Sequence, residues 1–309
     1  MKSWPYNPVD PAIYKDCLDW PKISIVTPSY NQGKYIEETI LSVINQGYPN
    51  LEYIIIDGGS SDDTIKIIKK YEHKIAYWIS EKDSGQADAI NKGFEKATGE
   101  IFAYLNSDDC YFTNTLFEIA KSYLENSENK LLFIGNCYWG EYYDDNNGWI
   151  DKPNFPRSLF DALKKRGLAP QPSMFWTNPL KLKFLKELRF CMDFEFWLKL
   201  INEDYKVIKI EKTLSLFRMH PNSKTSTLTQ ILQEELNGVS ALYKKYLSPK
   251  ENREITNFLL KQNQLELYEK LVLSRRHETK NIFSPLSEVL KSSLPLKMKL
   301  SAFFKIIND

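Results

Sequence analysis

ISIVTPSYNQGKYIEETILSVINQGYPNLEYIIIDGGSSDD, residues 23–63, sets two short β-branched runs on either side of one helical repeat. Ile23 to Thr27 (ISIVT) ends at Pro28, and Tyr53 to Asp57 (YIIID) ends at Gly58-Gly59. Each reads as a strand buried on both faces. Between them Ile36, Ile40, Val43 and Ile44 recur at helical spacing, and Gly47 with Pro49 stops that helix. The unit is β-α-β.

The alternation continues outward. A helix is expected near Asp62 to Tyr71, a strand near Ala76 to Ser80, a helix from Gln86 to Ala97 stopped by Gly99, and a strand from Ile101 to Leu105. This pattern implies an α/β fold, a mostly parallel sheet flanked by helices. Ligands of such sheets bind at the carboxyl ends of the strands. TPSYNQG, DGGSSDD, EKDSGQAD and NSDD follow the four strands in turn, so four polar loops are expected to line one crevice. Beyond about residue 130 the regularity fades. LLFIGNCYW reads as a further strand, EYYDDNNGW as a surface loop and CMDFEFWLKL as a helix packed on the sheet. From roughly Thr225 the chain turns rich in Leu, Lys, Gln and Glu with helical periodicity, and it reads as a helical extension.

The bulk numbers narrow the function. A chain of 309 residues, 42% apolar and 14% aromatic, can bury a full core. Its 41 basic and 40 acidic residues nearly cancel, so nucleic acid is not an expected partner. Cys17, Cys110, Cys137 and Cys191 are scattered without metal-ligand spacing, which fits a reducing compartment. MKSWPYNPVDP has no apolar signal core, and no run of about 18 apolar residues exists, so a cytoplasmic protein is expected.

NSDD (Asn106 to Asp109) carries the strongest chemical signal. Adjacent carboxylates at a strand end can hold a hard divalent cation while open positions take diphosphate oxygens. The plainer alternative is that Asp108 or Asp109 caps the next helix. Asp57, leading into Gly58-Gly59-Ser60, can accept hydrogen bonds from a base or ribose. Asp83, Gln86, Asp88 and Asn91, in KDSGQADAINKG, offer further polar groups from the next loop and helix. QPSMFW presents Gln171 for hydrogen bonding and Trp176 as a flat apolar face, or as core.

The ordered series ISIVTPSYNQGKYIEETILSVINQGYPNLEYIIIDGGSSDDT and DSGQADAINKGFEKATGEIFAYLNSDD resembles glycosyltransferase family 2, and QPSMFW, MDFEFWLKL and FRMHPNS resemble the acceptor half of its bacterial surface-polysaccharide members. The resemblance implies a GT-A fold over residues 21–225, with a leader at 1–20, a nucleotide-sugar half at 21–115, an acceptor half at 116–225 and an extension at 226–309. It implies inverting transfer from a nucleotide diphosphate sugar, UDP by default, to a saccharide or lipid-linked saccharide, with Mn or Mg as cofactor. By position, Thr27, Pro28, Ser29 and Tyr30 border the nucleotide, with Asp57, Ser60, Asp83, Gln86, Asp88 and Asn91. Asn106, Ser107 and Asp108 face the ribose or sugar. Asp109, Asp108 and His220 are implied at the metal, Arg218 near the phosphates, and Gln171 and Trp176 at the acceptor. Asp193 stands at the position of the base. Asn106 and Met192 depart from acidic positions of the family pattern.

Other readings remain beside it. A sugar-phosphate nucleotidyltransferase needs a glycine-rich basic loop after the first strand, and TPSYNQGKY has one glycine and one lysine. A non-catalytic sugar-nucleotide-binding or scaffold subunit is kept open by Asn106 and Met192. A Rossmann dehydrogenase lacks its GxGxxG here. LPLKMKLSAFFKII interleaves Lys297, Lys299 and Lys305 with Leu296, Leu300, Phe303, Phe304 and Ile307. Such a helix lies on an anionic inner-membrane surface or docks on its own domain.

Overall fold

The computed structural model describes residues 4–15, 17, 19–142, 148–156, 158–166, 169–221, 230–262 and 298. It divides into two compact units, Met1–Ser240 and Ala241–Asp309. The division falls inside α7 (Gln230–Tyr243) rather than near residue 225. The first turns of α7 belong with the first unit because Glu235 and Asn237 bond to it. In the second unit the described residues include a helix over 249–262. The expected membrane-surface segment lies outside the described residues apart from Met298. Among the described residues no helix is long and apolar enough to cross a membrane.

The first unit is built on one sheet. Its first strands are β1 (Ile23–Ser29), β2 (Leu51–Asp57), β3 (Tyr77–Ser80) and β4 (Ile101–Tyr104), all paired in parallel in the order β3-β2-β1-β4. Between them run α1 (Ile36–Ile44), α2 (Thr64–Tyr71) and α3 (Gln86–Lys96). β1 is buried at every position, as a strand covered on both faces must be. It continues through Pro28, where the sequence suggests a stop. The Val26 carbonyl accepts from Leu105 on the β4 side, so by two-residue alternation Pro28 faces that side too, past the last β1–β4 pair. Its missing N–H therefore leaves no ladder bond unmade.

The second half departs from the parallel pattern. β5 (Cys110–Tyr111) and α4 (Thr115–Leu124) lead to β6 (Leu131–Gly140), β7 (Trp149–Asp151), α5 (Leu159–Lys165), β8 (Met174–Thr177), α6 (Met192–Asn202) and β9 (Lys206–Arg218). β8 inserts antiparallel between β4 and β6, and β9 runs parallel to β6 along the whole of it. The expected surface loop after Gly140 is described only at its ends, where Trp149 already begins β7.

The described residues among the first twenty pack on the domain. Trp4 donates to the Tyr111 carbonyl at 2.7 Å, and Tyr14 sits edge-on to Trp20, Tyr48 and Phe117. On the opposite flank of β1, Gly93 lets α3 lie close, since a Cβ there would collide with the Val26 side chain. Gly93→Ala is expected to cost about 1–3 kcal/mol through overpacking. An unchanged midpoint in urea denaturation would show that the α3–β1 contact gives way freely.

Candidate active site

A cavity of about 1330 Å³ opens where the strands of the parallel half end. All four polar loops reach it, through Pro28 to Tyr30, Gly58-Gly59, Asp83 with Gln86, and Asn106 to Asp109. The second half closes it with Trp139, Asp151, Gln171, Asp193 and Arg218. The crevice expected from the sequence is therefore present, with a wall from each half.

Asp57 does not line the cavity. It is fully buried, and its carboxylate accepts from the N–H groups of Gly59 (3.1 Å) and Ser60 (2.8 Å) and the hydroxyls of Ser60 (2.5 Å) and Ser80 (2.6 Å). Its work is to shape the turn, where Gly59 takes φ +84°. Ser60 in turn accepts from the Asn31 N–H at 2.7 Å, locking the first loop to the second. Gly58 approaches Asp83 so closely that a Cβ would lie 2.8 Å from its carboxylate.

Three other expected donor-site residues also point elsewhere. The Thr27 hydroxyl meets the Tyr53 hydroxyl at 3.0 Å within the core. The Asn91 amide exchanges two 2.9 Å hydrogen bonds with the backbone of Phe184. Asp88 pairs with Lys186 at 2.5 Å, and that ammonium holds its carboxyl below the usual range. Asn91 and Asp88 thus pin α3 to the segment that precedes α6.

NSDD is the centre of the site. Gln86 donates to the Asn106 amide oxygen at 2.6 Å, and the Asn106 nitrogen donates to Asp109 (3.2 Å) and to Gln171 (3.3 Å). Gln171 is anchored in turn on the Tyr104 carbonyl at 2.5 Å. Asp109 is 2% exposed and accepts from the Arg218 N–H at 2.9 Å. Burial, and then the neighbouring Asp108 charge, push its carboxyl well above the usual range. Neither aspartate caps a helix, because β5 follows directly and Asn114 stands at the start of α4.

Arg218 ties both halves together. Its guanidinium donates to the Asp108 carbonyl (2.8 Å), the Glu141 carbonyl (3.1 Å) and the Glu38 carboxylate (2.7 Å). It is buried and committed to these protein groups. His220 Nε2 lies 3.0 Å from Asp108 Oδ2, with its ring stacked on Tyr35 at 4.5 Å.

Among the described residues no three Asp, Glu, His or Cys side chains converge as a ready-made metal cage. Asp108 and His220 instead form a two-donor edge. Mg or Mn completes such a partial set with phosphate oxygens and water. Burial and the Asp108 charge favour the protonated form of the Asp109 carboxyl beside that edge, and a cation there would favour the ionised, ligating form, so the residues present fit a divalent ion.

Asp193 lies in the first turn of α6 and accepts a hydrogen bond from the Tyr104 hydroxyl at the end of β4. Glu235 of α7 supports that turn. Its carboxylate accepts from the N–H groups of Arg189 (2.8 Å), Phe190 (2.8 Å) and Cys191 (2.9 Å). Sequence reasoning missed both partners, since a tyrosine in an apolar strand and a glutamate in a helix carry no local mark. Trp176 is a correction to the acceptor expectation. It is 0% exposed, packed between Phe94 and Phe196, and has no face left for a sugar.

The sequence model of glycosyl transferase family 2 matches residues 24–182. The chain belongs to glycosyl transferase family 2. This glycosyltransferase is 32% identical over 232 residues to the glycosyltransferase MJ1057 of Methanocaldococcus jannaschii, covering 71% of this chain and 77% of that one. It is 30% identical over 209 residues to TuaG of Bacillus subtilis, named for teichuronic acid biosynthesis, covering 67% and 82%. Among solved structures, S. aureus TarS 1–349 in complex with UDP-GlcNAc aligns with TM-score 0.61 at 18% identity, over 93% of this chain and 81% of that one. The mannosyltransferase PcManGT of Pyrobaculum calidifontis, in complex with GDP-Man and Mn2+, aligns at TM-score 0.51 and 15% identity, over 99% and 89%. The glycosyltransferase therefore shares the GT-A fold of these proteins.

Proposed function

We propose that this enzyme moves a sugar from a nucleoside diphosphate sugar, with UDP as first choice of carrier, to a hydroxyl of a saccharide or lipid-linked saccharide, with inversion. The observation that carries the reading is that Asp193 and the NSDD carboxylates face one cavity from opposite halves of the unit. Tyr30, 62% exposed at the cavity lip, offers its ring to the base. The UDP-GlcNAc and GDP-Man complexes of TarS and PcManGT support a nucleotide-sugar donor.

Asp108, His220 and the remaining lone pairs of Asp109 would hold a divalent cation, as the Mn2+ in PcManGT supports. When bound, it neutralises charge on the diphosphate leaving group. Asp193 takes the proton of the acceptor hydroxyl as that oxygen attacks the anomeric carbon from the face opposite the diphosphate. The Tyr104 hydroxyl orients the carboxylate for this step. The reading extends to a cytoplasmic enzyme touching the inner membrane through residues 294–307. Unchanged membrane partition after their deletion would remove that part alone.

Calorimetric titration of UDP, dTDP and GDP, each with and without Mn, tests the donor site. UDP is expected to bind at least about tenfold more tightly with Mn present. Failure of all three nucleotides to bind folded protein would overturn the reading.

A further inference from the structure

We propose that Trp149 is a stacking subsite for a sugar ring of the acceptor chain, one or more rings beyond the residue that is glycosylated. The proposal rests on the reading of a saccharide acceptor given above.

Three aromatic rings form a ladder across β9, β6 and β7. Trp139 pairs in register with Phe217 on one side and Trp149 on the other. Paired cross-strand residues project from the same face of a sheet. The rings stack accordingly, with centroids 4.1 Å apart at 23° for Trp139–Phe217 and 5.7 Å apart at 10° for Trp139–Trp149.

The ladder begins inside the cavity and ends in solvent. Phe217 and Trp139 line the cavity. Asp151, two residues beyond Trp149 on β7 and so on its face, lines it too. β9 occupies one edge of β6 from Leu131 to Gly140, so β7 and β8 share the other edge. The segment that enters β8 carries Gln171, which lines the same cavity. Trp149 therefore stands on the acceptor side. Trp139 covers one of its faces, and the other looks outward.

That free face is unusual in this molecule. Trp149, at 51%, is the most exposed of the seven tryptophans. Because it stacks on Trp139, whose ring stacks on Phe217 within the cavity, this indole extends the cavity's aromatic wall out to solvent. The surroundings select the occupant. Asp151, Lys152 and Asn154 follow on the same lip of the cavity and offer hydrogen-bonding groups within reach of a flat apolar face. A pyranose ring has this pairing of properties, with C–H groups on its faces and hydroxyls around its rim. Ile150, the neighbouring exposed apolar residue of β7, alternates to the opposite face of the sheet, so the two do not join into the wider apolar patch that a lipid tail or a protein partner would call for.

The test is a chain-length series with UDP and Mn present, read by saturation-transfer NMR and tryptophan fluorescence. The probes are N-acetylglucosamine and chitotetraose, glucose and maltotetraose, and glucose and cellotetraose. At least one tetrasaccharide is expected to bind wild-type protein about tenfold or more tightly than its monosaccharide. Trp149→Ala should erase that difference and Trp149→Phe should keep part of it. Equal binding of every tetrasaccharide and its monosaccharide, or a difference retained in Trp149→Ala, would overturn the proposal. Titration of UDP on the same samples separates the two levels. Absence of the chain-length effect in wild-type protein with UDP binding intact removes the subsite alone, whereas absence of UDP binding removes the donor reading as well. Thermal melting of each variant confirms that substitution at this exposed position leaves the fold intact.

Discussion

Asp193→Asn is expected to lower turnover by about 10²–10⁴-fold, the range over which a positioned base contributes, while nucleotide affinity stays within about twofold of wild type. The amide keeps the size of the carboxylate, and its oxygen can still accept from the Tyr104 hydroxyl, so the first turn of α6 should hold. It cannot take up a proton at neutral pH. UDP release during steady-state transfer measures the first quantity and calorimetry the second. Turnover near the wild-type level would mean that the proton goes elsewhere. A joint loss of turnover and nucleotide binding would mean that the substitution disturbed the cavity rather than the chemistry.

Asp109→Asn should cut kcat/KM by about 10²–10³-fold, comparable to removal of one preorganised electrostatic group. It should also make the metal-free protein more stable at alkaline pH. Burial and Asp108 raise the carboxyl of Asp109 well above its usual value, so the folded chain holds that proton to higher pH than the unfolded chain does. Stability therefore falls as pH climbs from about 4, the ordinary aspartate value, through the raised one, and the whole penalty is present above it. The amide that replaces this carboxyl has no proton to lose. In melts with EDTA the gap in favour of the variant should widen from pH 4 to pH 8. A wild type that stays more stable than the variant across that window would show that the two carboxylates coexist without cost.

The place of these two residues on the cavity was legible in the sequence for different reasons. NSDD is contiguous and follows a strand, so its place at the carboxyl end of the sheet follows from local pattern. Asp193 was found only through resemblance, because a carboxylate at the start of a helix otherwise reads as a solvated residue. The parallel half was legible because each strand is an apolar run closed by glycine, proline or acidic residues. In the second half LLFIGNCYW and CMDFEFWLKL were legible as β6 and α6, but the order and direction of the strands were not. β5 is two residues long and β8 four, and a short apolar run carries no sign of direction. Nothing in MFWT announces that it lies antiparallel between β4 and β6.

The same limit explains the misplaced site residues. Trp176 follows Gln171 in a polar-looking segment, yet β8 is a central strand buried at all four positions. Asp57 and Asn91 sit near cavity-lining positions, but Ser80, which completes the set of donors to Asp57 begun by Gly59 and Ser60, and Phe184, which holds Asn91, are not connected to them by sequence spacing.

Glu235 changes what counts as the catalytic module. The motifs that resemble the family all lie before residue 225, so a fragment ending there would carry its full signature. It would also leave three N–H groups ahead of Asp193 without the carboxylate they bond in the intact chain. The portable piece of this enzyme, for fusion or for exchange of halves between relatives, therefore extends into α7.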